Sequence, residues 1–365
     1  MIFNQTFKNK KIIVTGHTGF KGSWLITWLN ILGADVYGIA LESISSPSHF
    51  TILSNGLKID DNRFNILDQN QLNFKFNAIK PDFVFHLAAQ AIVRTSYDNP
   101  IDTWKTNVIG TLNVLEALRG LKNKCSAIII TSDKCYDNVE WIWGYREHDS
   151  LGGPDPYSAS KGAAELLIKS HYKSYFSEVN SNIRIASVRA GNVIGGGDWS
   201  ENRIIPDCVR AWSQNKVVEL RNPNATRPWQ HVLEPLSGYL LLACELSSNY
   251  KLNGESFNFG PMAENNHTVI SLVIEMSKNW DKVKWEDVSS LFKGPYESGL
   301  LKLNCDKALA ILNWKAVLNF EETIQMTSLW YNEYYTKPSM NEKFTVSQIN
   351  EYIFKAKIKG LKWAQ

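Results

Sequence analysis

Hydrophobic and polar positions follow two rhythms along this chain. Short continuous apolar runs read as strands covered on both faces, and apolar positions three and four apart read as helices. Lys11-Ile12-Ile13-Val14-Thr15 is the first predicted strand. It breaks into a glycine-rich turn, Gly16 to Gly22, and a helix then runs through Trp24, Leu25, Trp28 and Leu29 to Leu32, with Gly33 as its stop. Asp35 to Leu41 alternates into a second strand, and residues 42–62 read as loop. Pro81 to Ala89 is a further strand ending in small residues, Asn107 to Leu118 a helix, and Ala127 to Thr131 and Arg184 to Arg189 two more strands. Strands alternating with helices predict an α/β fold built on a doubly wound parallel sheet.

Beyond Asn192 the texture changes. Gly195-Gly196-Gly197-Asp198-Trp199 is a glycine-rich loop, Arg203, Arg221 and Arg227 are spaced through Pro- and Asn-rich segments, and Glu234 to Leu246 is a strongly apolar helix. From Gly260 the pieces are short and mixed. The expected organisation is a nucleotide-binding domain over 1–192, to which 231–258 returns. A smaller C-terminal substrate-binding domain follows from 193–230 and 259–335, with a helical extension over 336–365.

Composition narrows the class. Of 365 residues, 44% are apolar and 21% charged, which is ordinary for a globular protein. A formal charge of +3 is too small to point to nucleic acid. Five cysteines without paired spacing argue against a disulfide framework or a zinc site and for reduced thiols in a cytoplasmic protein. Met1 to Lys11 is polar and carries no signal-peptide pattern, and runs such as Tyr239 to Ala243 are far short of a membrane span, so no membrane partner is expected.

Gly16, Gly19 and Gly22 stand where a strand must turn sharply into a helix and let a pyrophosphate reach backbone N–H groups. Alone that spacing is weak, since glycine also marks plain turns. Flanked by strand, helix and second strand, it points to a Rossmann-type dinucleotide site. His17, Phe20 and Lys21 share the loop, and Glu42, about 20 residues past the last glycine, is the candidate ribose-binding acid. Lys21 reads equally well as a cation for a 2′-phosphate and as a solvated surface lysine. Ser132, Asp133 and Lys134 follow the buried run Ala127 to Ile130, at the sheet edge where open α/β sheets bind ligands. Tyr157 and Lys161, at i and i+4, share one helix face. A tyrosine titrates near ~10 and is a poor base unless positive charge lowers its pKa; Lys161 supplies such a charge. Ser132 can bond the same substrate hydroxyl. A surface Tyr and Lys on an amphipathic helix is the plainer alternative, weakened by the glycine loop in the same sheet.

The glycine loop, Tyr157-x-x-x-Lys161, His86-Leu87-Ala88-Ala89-Gln90 and Thr106-Asn107-Val108-Ile109-Gly110-Thr111 together resemble the extended short-chain dehydrogenase/reductase family. Within it, the blocks at 132–137, 140–147, 189–199 and 227–232 are similar to those of CDP-glucose 4,6-dehydratases; the resemblance spans roughly residues 10–335. It implies NAD as cofactor, held by Gly16, His17, Gly19, Phe20, Lys21, Gly22, Glu42, Asn65, Ile66, Leu87, Ala88, Ala89, Asn107, Tyr157 and Lys161. It implies CDP-glucose as substrate, contacted by Gln90, Asn192, Arg203 and Arg227, and Ser132, Asp133, Lys134, Tyr157 and Lys161 as catalytic residues.

The implied reaction makes CDP-4-keto-6-deoxyglucose and water, opening 3,6-dideoxyhexose synthesis. Tyr157 takes the 4-hydroxyl proton as C4 gives hydride to NAD⁺, Lys134 removes the C5 proton, Asp133 protonates the departing 6-hydroxyl, and hydride returns to C6. Ala40 and Asn65 stand where relatives often carry acids, so NAD is expected to be held loosely. A homodimer through the helices beginning near Asn107 and Tyr157 is expected, with no metal ion. The alternatives are a dehydratase or 4-epimerase for another nucleotide sugar, and a non-catalytic NAD-binding regulator. The five catalytic-type side chains speak against the last.

Overall fold

Continuous Ile, Val and Phe runs form strands because their branched and aromatic side chains can be covered on both faces of a parallel sheet. In chain order the N-terminal half contains β1 (Lys11–Thr15), α1 (Phe20–Ile31), β2 (Asp35–Ala40), α2 (His49–Leu53), β3 (Ile59–Arg63), α3 (Gln69–Ile79), β4 (Phe83–His86), α4 (Val93–Asp98), α5 (Pro100–Trp104), α6 (Gly110–Arg119), β5 (Cys125–Ile130), α7 (Pro156–His171) and β6 (Ile183–Arg189). A seventh strand, Ser256–Asn258, joins beside β6. The order across the sheet is Ser256–Asn258, β6, β5, β4, β1, β2, β3, with every pairing parallel. The order reverses between β1 and β4, which makes that crevice the topological switch point. The computed structural model describes residues 1–262, 265–280, 283–290, 300–337 and 341–365. The portions of the expected substrate domain and extension at 263–264, 281–282, 291–299 and 338–340 lie outside them.

Side chains on β1 alternate between two cores, as strand pleating requires. Ile12 and Val14 pack with Trp24 and Trp28 of α1 and with α9 (Leu233–Ser248), which follows α8 (Ile204–Ser213). Ile13 packs on the other face with Leu72 and Phe76 of α3 and Val114 and Leu118 of α6. The stretch 42–62, read as loop, differs from that expectation: it holds α2 and β3. β3 (Ile-Asp-Asp-Asn-Arg) is the outermost strand and largely exposed, so no apolar run betrays it. The helix α3 was likewise unread, and the helix expected from Asn107 opens earlier with a π turn over Lys105–Ile109.

Among the described residues after 192 there are three two-stranded sheets, pairing Val193–Ile194 with Gln230–His231, Thr226–Arg227 with His267–Thr268, and Val218–Leu220 with Trp285–Asp287. The helix Asn341–Ile358 packs back on α1, α2 and the helix Phe320–Thr336. It is tied there by Thr345, whose hydroxyl meets Trp330 Nε1 (2.9 Å) and His49 Nε2 (3.2 Å). Buried Glu234 of α9 accepts from the backbone N–H groups of Val317 and Leu318 and from the Tyr352 hydroxyl, at 2.6–3.0 Å. The five cysteines form no disulfide. Among the described residues no helix is long and apolar enough to cross a membrane, and no cluster of three His, Cys, Asp or Glu could hold a metal ion.

Candidate active site

A cavity of about 770 Å³ opens at the C-terminal ends of β1, β2, β4 and β5 and runs from Glu42 and Phe64 at one end to Arg221 and Arg227 at the other. Its floor is the glycine loop. Gly16 has φ +73°, and a Cβ there would come within 2.7 Å of Ala88 N; a Cβ on Gly22 would lie 2.2 Å from Gly16 O. Only glycine allows strand ends, loop and helix to pack this closely, and the free N–H groups at the start of α1 then face the cavity. Phe20, Lys21, Asn65, Ile66, Leu87, Ala88 and Ala89 line it.

Three of the expected cofactor residues sit differently. The ring of His17 is fully buried beneath Gly38, with Nε2 2.8 Å from Asp61 Oδ1, so this residue meets the cavity only through the loop it belongs to. Burial pulls its imidazole below the usual range, against the pull of Asp61. The Glu42 side chain is 84% exposed and leans on Arg63 at 3.4 Å. Asn107 is buried behind the wall: its amide accepts from Gln90 N (2.9 Å) and donates to Gln90 O and Ser160 Oγ (3.1 and 2.9 Å). Gln90 in turn spans Ile92 and Thr103 rather than the cavity. Both residues brace the Leu87–Ala89 turn against α5 and α7.

At the middle of the cavity β5 ends and a 3-10 turn over Asp133–Cys135 begins, capped by Ser132 Oγ, which accepts from Lys134 N (3.2 Å) and donates to Asp133 Oδ1 (2.9 Å). Asp133 is buried and packs flat on Gly191, where any Cβ would fall 1.8 Å from Oδ2. Lys134 Nζ lies 3.7 Å from Asp133 Oδ1 and remains partly exposed. From α7, which is N-capped by Asp155 with Pro156 in the first turn, Tyr157 and Lys161 enter from above, both buried. The Lys161 ammonium stands 6.0 Å from the Tyr157 ring centre.

Burial pushes the Tyr157 phenol up to about 12, with the Ser132 hydrogen bond acting against it. The expected lowering of that phenol by Lys161 is outweighed by burial, and Arg203 is the cation pulling downward. Burial pulls Lys161 down to about 8, Glu165 opposing. Lys21 also falls to about 8, through burial and then the charge of Arg203. Its other charged neighbours are Asp133, Lys161 and Lys134. Phe20 packs on Gly195 and Trp24 Nε1 donates to Gly196 O (2.9 Å), which aims this turn of α1 at the 193–203 loop and away from Glu42. Lys21 therefore faces the catalytic end, not the end where a 2′-phosphate would lie.

The far end is polar. Asn192 holds φ +52° and its carbonyl accepts from Gln230 N (3.2 Å). Arg203 pairs with Asp198 at 2.9 Å, and Arg227 and Arg221 line the rim. Asp198 was not singled out from sequence, because a five-residue offset across a loop does not announce a pair. Tyr136 and Trp229, present in the 132–137 and 227–232 blocks but given no role there, line the wall as well.

A profile of the GDP-mannose 4,6 dehydratase family matches residues 13–327. The chain belongs to that family. Among its relatives in the family, the CDP-glucose 4,6-dehydratase of Salmonella typhimurium is 45% identical over 337 residues, covering 91% of this chain and 93% of the relative. Solved structures repeat the fold at lower identity. An epimerase from Methanothermobacter thermautotrophicus superposes with TM-score 0.77 at 23% identity, covering 96% of both chains. The dTDP-glucose 4,6-dehydratase of Bacillus anthracis, solved with NAD, gives 0.71 at 20% identity over 90% of this chain and 99% of the other.

Proposed function

We propose that this protein is an NAD-dependent lyase that converts CDP-glucose to CDP-4-keto-6-deoxyglucose and water. The observation that carries the reading is the convergence of Ser132, Asp133, Lys134, Tyr157 and Lys161 on one cavity whose floor is a dinucleotide-type glycine loop. The 45% identity to a CDP-glucose 4,6-dehydratase supports the substrate.

The residues fit NAD. The Gly16–Gly22 cradle excludes side chains where a pyrophosphate must approach backbone, and Ala88 and Ala89 leave room for a flat ring. Bound NAD would supply a hydride acceptor for C4–H that later returns the hydride to C6. Tyr157 takes the C4 hydroxyl proton, with Ser132 bonding the same oxygen and the Arg203 charge working against burial to favour phenolate over phenol. Once C4 is a ketone, the C5 proton is acidic. Lys134 accepts it, and Asp133 gives a proton to the 6-hydroxyl so that water leaves rather than hydroxide. Asn192, Arg203 and Arg227 hold the diphosphate. Residues 1–192 with 231–258 would carry the cofactor, and the short sheets after 192 the sugar nucleotide.

A second reading of one residue has an observation behind it. Lys134 Nζ lies 3.7 Å from Asp133 Oδ1 in the middle of the cavity, an ion pair placed to stabilise the enolate. We also propose a homodimer through α5 to α7. The test of function is direct: CDP-, UDP-, GDP- and dTDP-glucose are each incubated with protein and NAD, and the products weighed. CDP-glucose should lose the mass of water fastest. Turnover of dTDP-glucose at an equal or higher rate would overturn the assignment.

A further inference from the structure

Behind the reacting groups, the ends of β5 and β6 and the inner face of α7 meet at one buried carboxylate. Glu165 lies one helical turn beyond Lys161 and two beyond Tyr157 on the same face of α7, fully enclosed. It accepts four hydrogen bonds: from Thr131 Oγ1 (2.5 Å), Ser187 Oγ (2.8 Å), Arg189 Nε (3.0 Å) and Arg189 Nη2 (2.8 Å). Ser187 and Arg189 belong to β6, and Arg189 is followed directly by Ala190-Gly191-Asn192 in the cavity wall. Thr131 is the residue before Ser132. It is the one donor of the four that sits on the strand end leading into Ser132 and Asp133.

We propose that Thr131, through its hydrogen bond to Glu165, is a positioning residue that sets the spacing between the Ser132–Asp133 turn and the Tyr157–Lys161 face. Two other links join the turn to that face: Ser132 hydrogen-bonds Tyr157, and Cys135 O, which accepts from Gly152 N (2.9 Å), packs on Gly162 of α7. The turn over Asp133–Cys135 is a single 3-10 turn, and Asp133 packs on Gly191. β5 is laddered to its neighbours through Ile130, and the Thr131 N–H extends that pairing to Val188 O (2.9 Å), but the side chains beyond it project from an unpaired turn. The Thr131 hydroxyl, which also reaches Val188 O (3.2 Å), is a hydrogen-bonded link from the strand end carrying that turn sideways into α7. Burial alone would push the Glu165 carboxyl up. Arg189, with the Thr131 and Ser187 hydroxyls, overrides burial and holds it below the usual range, so the acceptor is a carboxylate and the bond charge-assisted. A proton must pass from substrate to Tyr157 while Ser132 holds the same oxygen. A misplacement of about 1 Å between the two would then be felt mainly in the chemical step.

The proposal rests on the dehydratase reading for its assay, and the unaltered protein separates the two. If it dehydrates none of the four nucleotide sugars, the reading fails; if it is active, the variants judge the tether. Thr131→Val removes the hydroxyl and keeps the branched shape. We expect kcat to fall about 10-fold or more with KM for the sugar nucleotide within about 3-fold, and amide hydrogen exchange over residues 132–135 to accelerate. Thr131→Ser should restore both. Ser187→Ala, which takes a neutral hydroxyl from the same carboxylate on the β6 side, should leave kcat within about 3-fold. Should Thr131→Val not fold, Thr131→Ala removes the same group with less bulk. A folded Thr131→Val or Thr131→Ala protein with parental kcat overturns the proposal. So does a loss shared equally by Ser187→Ala, which would mark the cluster as structural only.

Discussion

At Tyr157 the demands of folding and chemistry oppose each other. Burial excludes water and also holds the phenol proton at about 12, so the proposed proton acceptance depends on the Ser132 hydrogen bond and on positive charge from Arg203. Tyr157→Phe removes the acceptor and almost no volume. Melting temperature and NAD binding should stay at parental values while turnover falls at least ~100-fold. Lys134→Ala tests the other half of the chemistry in the same assay. Run in D₂O, it should still show NADH-like absorbance from C4 oxidation but no deuterium at C5. Deuterium entering C5 at the parental rate would transfer the base role away from Lys134 and leave it as the enolate's counter-charge. Near-parental turnover of Tyr157→Phe would remove that phenol from the mechanism.

Elements differ in how openly the chain declares them. β1, β4, β5 and β6 are apolar runs buried on both faces, and the i, i+4 spacing of Tyr157 and Lys161 holds in α7 because nothing interrupts its turns. β3 was invisible because an edge strand needs few apolar residues; Asp61 and Arg63 are there to bond His17 and one another. The direction of Lys21 was equally hidden, since it depends on Phe20 and Trp24 packing against a loop more than 170 positions away. Glu234 of α9 joins the C-terminal helix to the sheet through Tyr352. Burial pushes its carboxyl from 4.5 up to about 7, with the Leu318 and Val317 N–H groups and Tyr352 acting against burial. A raised carboxyl means the folded protein keeps a proton that the unfolded chain releases. Its contribution is full below pH 4.5 and lost as pH climbs through 7, about 3 kcal/mol at most. The melting temperature should therefore drop between pH 5 and pH 8, and Glu234→Gln should flatten that slope. A slope unchanged by the substitution would remove Glu234 as its cause.

Across the whole molecule, α4, α5, α7 and the π turns that follow α5 and α7 leave Tyr97, Ile101, Trp104, Ile109, Leu166 and Tyr175 exposed. Large apolar side chains grouped on adjacent helices mark a contact surface, and a second copy presenting the same helices would cover them by two-fold symmetry. Light scattering should return twice the chain mass, and Ile101→Glu with Trp104→Glu should halve it; a parent that scatters as a single chain defeats the dimer. One further property follows from the two ammonium groups that burial holds near 8. At pH 8 a good part of that population is uncharged, and an arriving diphosphate restores the charge by raising their pKa. Ligand capture must then draw protons from the medium. Calorimetric titration with NAD or CDP at pH 8 should give apparent enthalpies that differ between Tris and phosphate in proportion to the buffers' ionisation heats. At pH 6, with both lysines already protonated, the two buffers should agree. Lys21→Met should shrink the pH 8 difference, and equal heats in both buffers at pH 8 would show that no proton is taken up. If the difference appears, the protein's affinity for its nucleotides carries the acidity of the solution within it, tightening as pH falls from 9 toward 7.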